Sequence, residues 1–570
     1  MPAAPPLPEA PLPATRRLAV EQVAAGLSVF LGIPAVALRR TRRAETNHDL
    51  ALLPALLPVQ APAILALAVQ MVSEADDPEL CERLKEPFEA LRKAVAADLR
   101  GSRRPIIAAA IARGWPWRFV STVGDLLQIG EGARAVRLSA SGSRHTRAVA
   151  TSIASDKSLA NALLHRAGVP VARQALVQTA DEVVRLAEQV RYPVVVKPVA
   201  LRRQQGIQFV HRREQAEAAL RRAGESGQAV VAESYLPGPE HRILVVDGQI
   251  LAAFERAAPV VVGDGRSTID QLVATANAAP DRGDWRLGAA LSPIKLDAAA
   301  IEFLESRGWR PDSVPPAGVA VECHPLPFVG VGGGRRVDST ERIHPDNRAV
   351  AVRALAVLDL DAGGIDFRCP DISRSWREVG AGICEVNPRP DLSAHYLPGL
   401  ERDVGALFLD LRAPPVQNGG RIPQILLLAD PDPRRRAALA ARAAGAALGW
   451  RVAAGWPGGG ELDGAACYAE LANLPAMVAM AVETLVVDAA IYAAAPRDLL
   501  ATGLGVGQLD LALVAPGSGR ERAAALDALA AARVPVRPLP RQDAALAAAV
   551  LDAMRPFCET ATGAAARRGE

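Results

Sequence analysis

Two short segments bring hard oxygen donors close together: Gly364-Ile365-Asp366-Phe367 and Ile383-Cys384-Glu385-Val386-Asn387-Pro388. Side chains two apart on a strand point to one face, so Glu385 and Asn387 can reach a single ion. Asp366, read as closing the preceding strand, adds a third oxygen, and such a set suits Mg²⁺ carried by a nucleoside triphosphate. A lone Glu-x-Asn triplet is a weak signal, and a half-exposed strand is its plainer reading. It gains force from what precedes it. Ser155-Asp156-Lys157 stands at a helix start, and Val194-Val195-Val196-Lys197 ends an apolar strand. Two separated lysines supply the point charges that a polyphosphate needs. A single lysine is ordinarily a solvated surface charge, but at the end of an apolar strand an unpaired ammonium is costly. Between Glu233 and Glu240 runs Ser234-Tyr235-Leu236-Pro237-Gly238-Pro239, followed by His241 and Arg242. The two acids can serve a purine and a ribose, with the backbone between them as the purine hinge.

Short strands alternating with helices must position these groups from about residue 151 onward. The pattern gives a strand over Tyr192–Lys197, a helix over Arg213–Ala223 and a strand over Ala229–Glu233. Ile243–Val246 and Ile250–Glu255 read as a hairpin about Asp247-Gly248. Earlier, Pro78–Leu99 has helical periodicity, and Gly130-Glu131-Gly132 marks a turn. Arg412–Gly420 is a linker by its Pro and Gly content. Beyond it, Ile425–Leu428, Ala489–Ala493 and Leu509–Val514 are strands separated by Ala-rich helices such as Glu521–Ala531, the texture of a parallel sheet. No fixed-period repeat is present. The expected division is a disordered Pro/Ala tail at 1–16, an N-terminal domain at 17–150, a second domain at 151–415 and a third at 421–570.

A chain of 570 residues fits about three or four domains. Its 50% apolar and 22% charged content is that of a globular protein with ample core. Lys and Arg number 65 against 62 Asp and Glu, and a surplus of +3 argues against a general nucleic-acid binder. Met1–Pro13 has no basic-then-apolar leader, and Leu471–Ala495 is broken by Glu483 and Asp488, so neither a signal peptide nor a membrane span is expected. The six cysteines show no CxxC spacing, which argues against a zinc ribbon or a disulfide framework. The expectation is a soluble cytoplasmic protein with no nucleic-acid or membrane partner.

The ordered set of two lysines, hinge acid, ribose acid, Asp and Glu-x-Asn resembles the ATP-grasp carboxylate–amine ligases. Further stretches, Ala112–Trp117, His145–Lys157, Leu163–Pro170, Val261–Leu272 and Ile343–Asn347, look like the cyanophycin synthetase family, which builds an Asp–Arg storage polymer. The resemblance covers residues 105–420 well and 421–515 in outline. It implies an α/β and α+β multidomain fold: an N-terminal domain, an ATP-grasp domain and a Mur-ligase-like parallel α/β domain. It implies ATP and Mg²⁺ as cofactors, and a carboxylate activated as an acyl phosphate that an amine then attacks. Carried over by position, Lys157 and Lys197 hold phosphates, Glu233, Tyr235 and Leu236 form the adenine hinge, and Glu240 takes the ribose. Arg335, after Gly333-Gly334, stands where the family has a Gly-Gly-Thr loop near the nucleotide. Asp366, Glu385 and Asn387 take Mg²⁺, and Lys197, Arg242 and His395 are the candidate catalytic residues, with His395 on the substrate side.

Three departures shape the expectation. Where the family has a glycine-rich phosphate loop, this chain reads Val199-Ala200-Leu201-Arg202-Arg203-Gln204-Gln205-Gly206. Arg202 and Arg203 there either contact phosphate, grip an acidic chain or form a plain solvated turn. The family pattern EVNAAPG-x-R-x-H becomes Pro388–His395 after the Glu-x-Asn, with Ser393 in the arginine's place and Arg389 as the candidate replacement. Finally, Arg421-Ile422-Pro423 leads not to a P-loop but to Ala429-Asp430-Pro431-Asp432-Pro433-Arg434. Two prolines remove donors, two aspartates repel phosphate and the lysine is gone, so no nucleotide is expected there. The family's LETARGG segment is Ile491–Arg497 here. With one ATP site, the chain is most like the shorter second type of the family, which joins preformed β-aspartyl-arginine, or a related dipeptide, end to end. The expected partners are the dipeptide and the peptide polymer, in a homo-oligomer (dimer, tetramer or higher). The alternative is a non-catalytic pseudo-ligase that binds polymer or regulates an active synthetase.

Overall fold

The computed structural model describes residues 61–558 except 78, 100, 121–125, 199–207, 226, 280–281, 284–290, 326–332, 397–401, 414–416, 431–432, 468–470, 472 and 503–507. The tail at 1–16, the loop carrying Arg202 and Arg203, and Pro431 with Asp432 lie outside the described residues. Contacts divide the chain into two units. One gathers the described residues through Leu99, Ile106–Ser139 and the chain from Arg412 on; the other holds 100–105 and Ala140–Leu411. Residues 106–139 group with the described residues before 100 and with the chain from Arg412 on.

In the first unit, β1 (Trp117–Phe119), β2 (Leu126–Ile129) and β3 (Val136–Ser139) form an antiparallel meander. The second unit contains two sheets that matter for the site. The smaller joins β4 (Gln174–Val177), β5 (Val194–Pro198), β6 (Gln208–Val210) and β7 (Val230–Ser234) in the order β4-β7-β5-β6. Val194, Val196, Val210 and Ala232 bury one face beneath the helices Ala180–Val190 and Ala216–Gly224. The first of these helices opens on a reciprocal cap between Thr179 and Glu182. Gln174, Val195 and Glu233 pair directly across the strands, so they share the opposite face.

The larger sheet is built from β8 (Glu240–Val246) and β9 (Gln249–Ala257), followed after a two-stranded insert of β10 (Val260–Val262) and β11 (Ala320–Glu322) by β12 (Arg335–Asp338), β13 (Ala362–Arg368) and β14 (Gly382–Asn387). Its order is β12-β9-β8-β13-β14, with every pairing antiparallel. Asp247 and Gly248 turn the β8–β9 hairpin with φ of 45° and 74°, as a tight right-twisted hairpin requires. Ile243, Val245, Ile365 and Ile383 pack with residues of the helices Ala148–Ser155, Lys157–Arg166 and Pro345–Val357. Asp366 does not close its strand. It lies inside β13, which runs on to Arg368 past an irregularity after Asp366.

The remaining strands of the first unit are β15 (Gln424–Leu428), β16 (Val452–Trp456), β17 (Gly459–Leu462), β18 (Ala465–Cys467), β19 (Ala489–Ala494), β20 (Leu511–Val514) and β21 (Val536–Pro538). They form one sheet in the order β18-β17-β16-β19-β15-β20-β21. The five strands from β16 to β21 in that order are mutually parallel, covered by apolar cores on both faces. The meander is tied to this segment by buried polar groups. Gln128 Nε2 donates to the Val482 carbonyl at 2.8 Å, and Glu131 Oε2 accepts from Gln424 Nε2 at 2.9 Å. Those bonds are the physical reason that 106–139 group with 412–558. The linker expected over 412–420 begins with a fully buried residue: Arg412 closes the helix Val404–Arg412 and is 1% exposed.

Candidate active site

Strand register builds the site. Asp366 on β13 stands opposite Arg242 on β8 and Glu385 on β14, while Gly364 stands opposite Asn387. Direct cross-strand partners share a face, so these groups from three chain segments line one surface. Arg242 Nη1 donates to Asp366 Oδ1 at 2.9 Å. Arg256, from β9, pairs with Glu240 Oε1 at 3.1 Å and lies 3.5 Å from Asp366 Oδ1. Gly364 is what admits Arg242: a Cβ there would lie 2.4–2.6 Å from the guanidinium. With the Asn387 amide turned so that its oxygen faces Arg242 Nη1 (2.6 Å), its nitrogen donates to Glu385 Oε1 (3.2 Å) and both ends are satisfied.

Lys157 begins the helix Lys157–Arg166, whose first turn is fixed by Asp156 Oδ1 accepting from the Ser158 and Leu159 amides. Its ammonium lies 3.1 Å from Glu385 Oε2. Lys197 Nζ donates to Glu233 Oε1 at 2.6 Å, and Gln174 Nε2 donates to Glu233 Oε2 at 2.8 Å. The strand-end ammonium thus has the partner that its apolar surroundings demand. Leu236 packs on Gly382 at the start of β14, the strand that carries Glu385 and Asn387. Tyr235 is half-exposed, edge-on to Phe209 with ring centroids 6.1 Å apart. Phe209, on β6, leaves 49% of its surface exposed beside Tyr235.

Burial, and then the charge of Asp366, push the Glu240 carboxyl above its ordinary range, against the attraction of Arg256. The structure does not bring every expected residue into the open face. Arg335 is exposed on the outer strand, with Nε 3.5 Å from the Ala258 carbonyl. His395 is 1% exposed, and neither ring nitrogen has a hydrogen-bond partner. Burial, with Arg242, Arg336 and Arg256 nearby, holds its ring well below the usual histidine range. Ser393 is tied back to Asp391 at 2.8 Å, and Arg389 is exposed.

The donor set fits ATP with Mg²⁺. Among the described residues no three His, Cys, Asp or Glu side chains converge as a closed metal cage. Two carboxylates and an amide suit a Mg²⁺ that takes its remaining oxygens from water and phosphate. Asp366, Glu385 and Asn387 would hold the ion, and Lys157 and Lys197 the phosphates. Among the described residues no helix is long and apolar enough to cross a membrane.

Residues 155–259 match the family model described as phosphoribosylglycinamide synthetase, ATP-grasp (A) domain. A cyanophycin synthetase from Trichormus variabilis is 36% identical over 331 residues, 57% of this chain and 36% of that protein. The bifunctional glutathione biosynthesis protein GshAB of Clostridium perfringens is 29% identical over 223 residues, 38% of this chain and 28% of its own. A bifunctional glutathione synthetase from Pasteurella multocida superposes with a TM-score of 0.47 at 20% identity, covering 63% of this chain and 53% of that one. The chain spans about a third of the length of the curated relatives it matches. The chain is similar to the cyanophycin synthetases over a little more than half of its residues, and its residues 155–259 match an ATP-grasp domain model.

Proposed function

We propose that this protein is an ATP-dependent, ADP-forming amide ligase that joins preformed dipeptides, β-aspartyl-arginine or a related unit, into a cyanophycin-like polymer. It would work in the cytoplasm as a homo-oligomer. The observation that carries the reading is the convergence of Lys157–Glu385, Arg242–Asp366 and Asn387 on one sheet face. ATP with Mg²⁺ would supply a phosphoryl group that activates the substrate carboxylate. In the ligand-free protein each acid of the set is already held by a cation of the chain. Binding would exchange partners: the ammonium groups of Lys157 and Lys197 would turn to phosphate oxygens, releasing Glu385 for metal and Glu233 for the nucleotide, while Asp366, whose Oδ1 Arg242 holds, would offer the metal Oδ2. Arg242, seated over Gly364, remains aimed at the face where negative charge develops, and a donor fixed in place costs no reorganisation. Glu240, buried and paired with Arg256, would take a ribose hydroxyl.

The alternative of a non-catalytic pseudo-ligase rests on the altered 199–206 segment; the assembled acids and lysines speak against it. Incubation with ATP, Mg²⁺ and candidate dipeptides, reading ADP release and product mass, separates the two. Asn387→Ala is expected to lower turnover by about 10²-fold or more. Wild-type protein that binds nucleotide but yields no ADP with any dipeptide would support the pseudo-ligase.

A further inference from the structure

The family resemblance puts an arginine at position 393, where this chain has Ser393, and the structure shows what occupies that neighbourhood. Arg336, on β12, donates through Nη1 to the carbonyl of Ala394 at 2.7 Å. In the β12–β9 register, Arg336 sits directly opposite Arg256. Like charges at directly paired positions repel; Glu240 and Asp366 compensate Arg256, and an anion beside Arg336 would relieve the repulsion further. Beside them lies His395, fully buried, edge-on to Phe254 at 5.0 Å, with both ring nitrogens unpartnered. A buried polar side chain with both nitrogens unpartnered calls for an explanation, and a ligand group that completes it is one. Arg389, the candidate replacement by sequence, is exposed.

We propose that Arg336 and His395, with Arg256, form the pocket for a carboxylate of the peptide substrate, Arg336 supplying from the edge strand the guanidinium that Ser393 cannot. The inference rests on the ligase reading above and names the specificity residue of the same site. A guanidinium matches a carboxylate with two parallel donors, and the imidazole adds a third hydrogen bond. A peptide of two β-aspartyl-arginine units carries such groups at its backbone C-terminus and on each arginine.

The test measures binding of that peptide to the full chain in the presence of Mg²⁺ and a non-hydrolysable ATP analogue. Two modified peptides accompany it, one amidated at the backbone C-terminus and one with agmatine in place of arginine. The wild type is expected to prefer the unmodified peptide at least tenfold over one of the two, which identifies the carboxylate. Arg336→Ala is expected to abolish that preference with nucleotide affinity unchanged, and Arg336→Ala combined with Ser393→Arg to restore it in part. A wild type that binds nucleotide and peptide with no preference for either carboxylate would overturn the proposal alone. So would Arg336→Ala keeping the preference, or losing nucleotide affinity as well. Wild-type protein that binds neither nucleotide nor peptide would overturn the ligase reading and this inference with it.

Discussion

Replacing Gly364 by alanine tests how the central strand holds Arg242. The φ of Gly364 is not in the left-handed region, so the backbone accepts alanine, and stiffening the unfolded chain contributes about 0.4–1 kcal/mol in its favour. The added Cβ would lie 2.4 Å from Arg242 Nη2, and ordinary contact needs about 1 Å more. The guanidinium must therefore leave its 2.9 Å bond to Asp366. The two side chains are 11% and 13% exposed, and unpairing such a buried pair costs about 3–5 kcal/mol when no substitute is found. Arg256, 3.5 Å from the same oxygen, softens this to about 2 kcal/mol. The net loss is about 1–2 kcal/mol, or roughly 2–6 °C in Tm for a unit of this size. Turnover should fall further than stability, by about 10²-fold, because a donor displaced from its charge no longer acts on the transition state. Gly363→Ala is the control, since the three atoms nearest its Cβ would all belong to the Leu355 side chain, at 3.0–3.3 Å. Calorimetry with steady-state ADP release on both variants decides the matter. Wild-type Tm and turnover in Gly364→Ala, or an equal loss of turnover in Gly363→Ala, would refute the reasoning.

Lys197→Met leaves Glu233 the Gln174 donor among the described residues and should raise the KM for ATP about tenfold or more with little change in Tm; an unchanged KM removes Lys197 from the phosphate site. In the other unit, burial raises the Glu131 carboxyl above its ordinary value near 4.5, despite Arg421 and Arg118. A raised carboxyl favours the protonated fold, so the penalty is absent below about 4.5 and grows as pH rises towards the folded value. Glu131→Gln should therefore stabilise the protein near pH 8 relative to wild type and show a shrinking advantage towards pH 4; a pH-independent difference in denaturation midpoints would count against it. Truncation after Gly419 removes the C-terminal partners of Gln128, Glu131 and Arg137, and light scattering should show aggregation; a soluble, monodisperse product would contradict this.

The local patterns were legible from residues alone. Glu385 and Asn387 on one face follow from the two-residue strand period, and the Asp247-Gly248 hairpin from turn chemistry. The apolar runs Ile425–Leu428 and Ala489–Ala493 carry the parallel sheet, because strands buried on both faces read as unbroken hydrophobic stretches. Lys197 needed a partner by the same logic of burial, but sequence could not say that Glu233 was it. What the tertiary structure decided is register between distant segments. Pairing of β13 with β8 and β14 puts Arg242, Asp366 and Glu385 in one row, and only that pairing gives Gly364 its purpose. The same holds for the arginine near position 393: proximity along the chain pointed to Arg389, whereas strand pairing delivers Arg336. Likewise the meander around Glu131 joins β15 through buried hydrogen bonds that no local pattern announces. Propensity and periodicity act over a few residues, whereas cross-strand partners and the pairing of buried polar groups are chosen among remote segments by the packing of the whole unit.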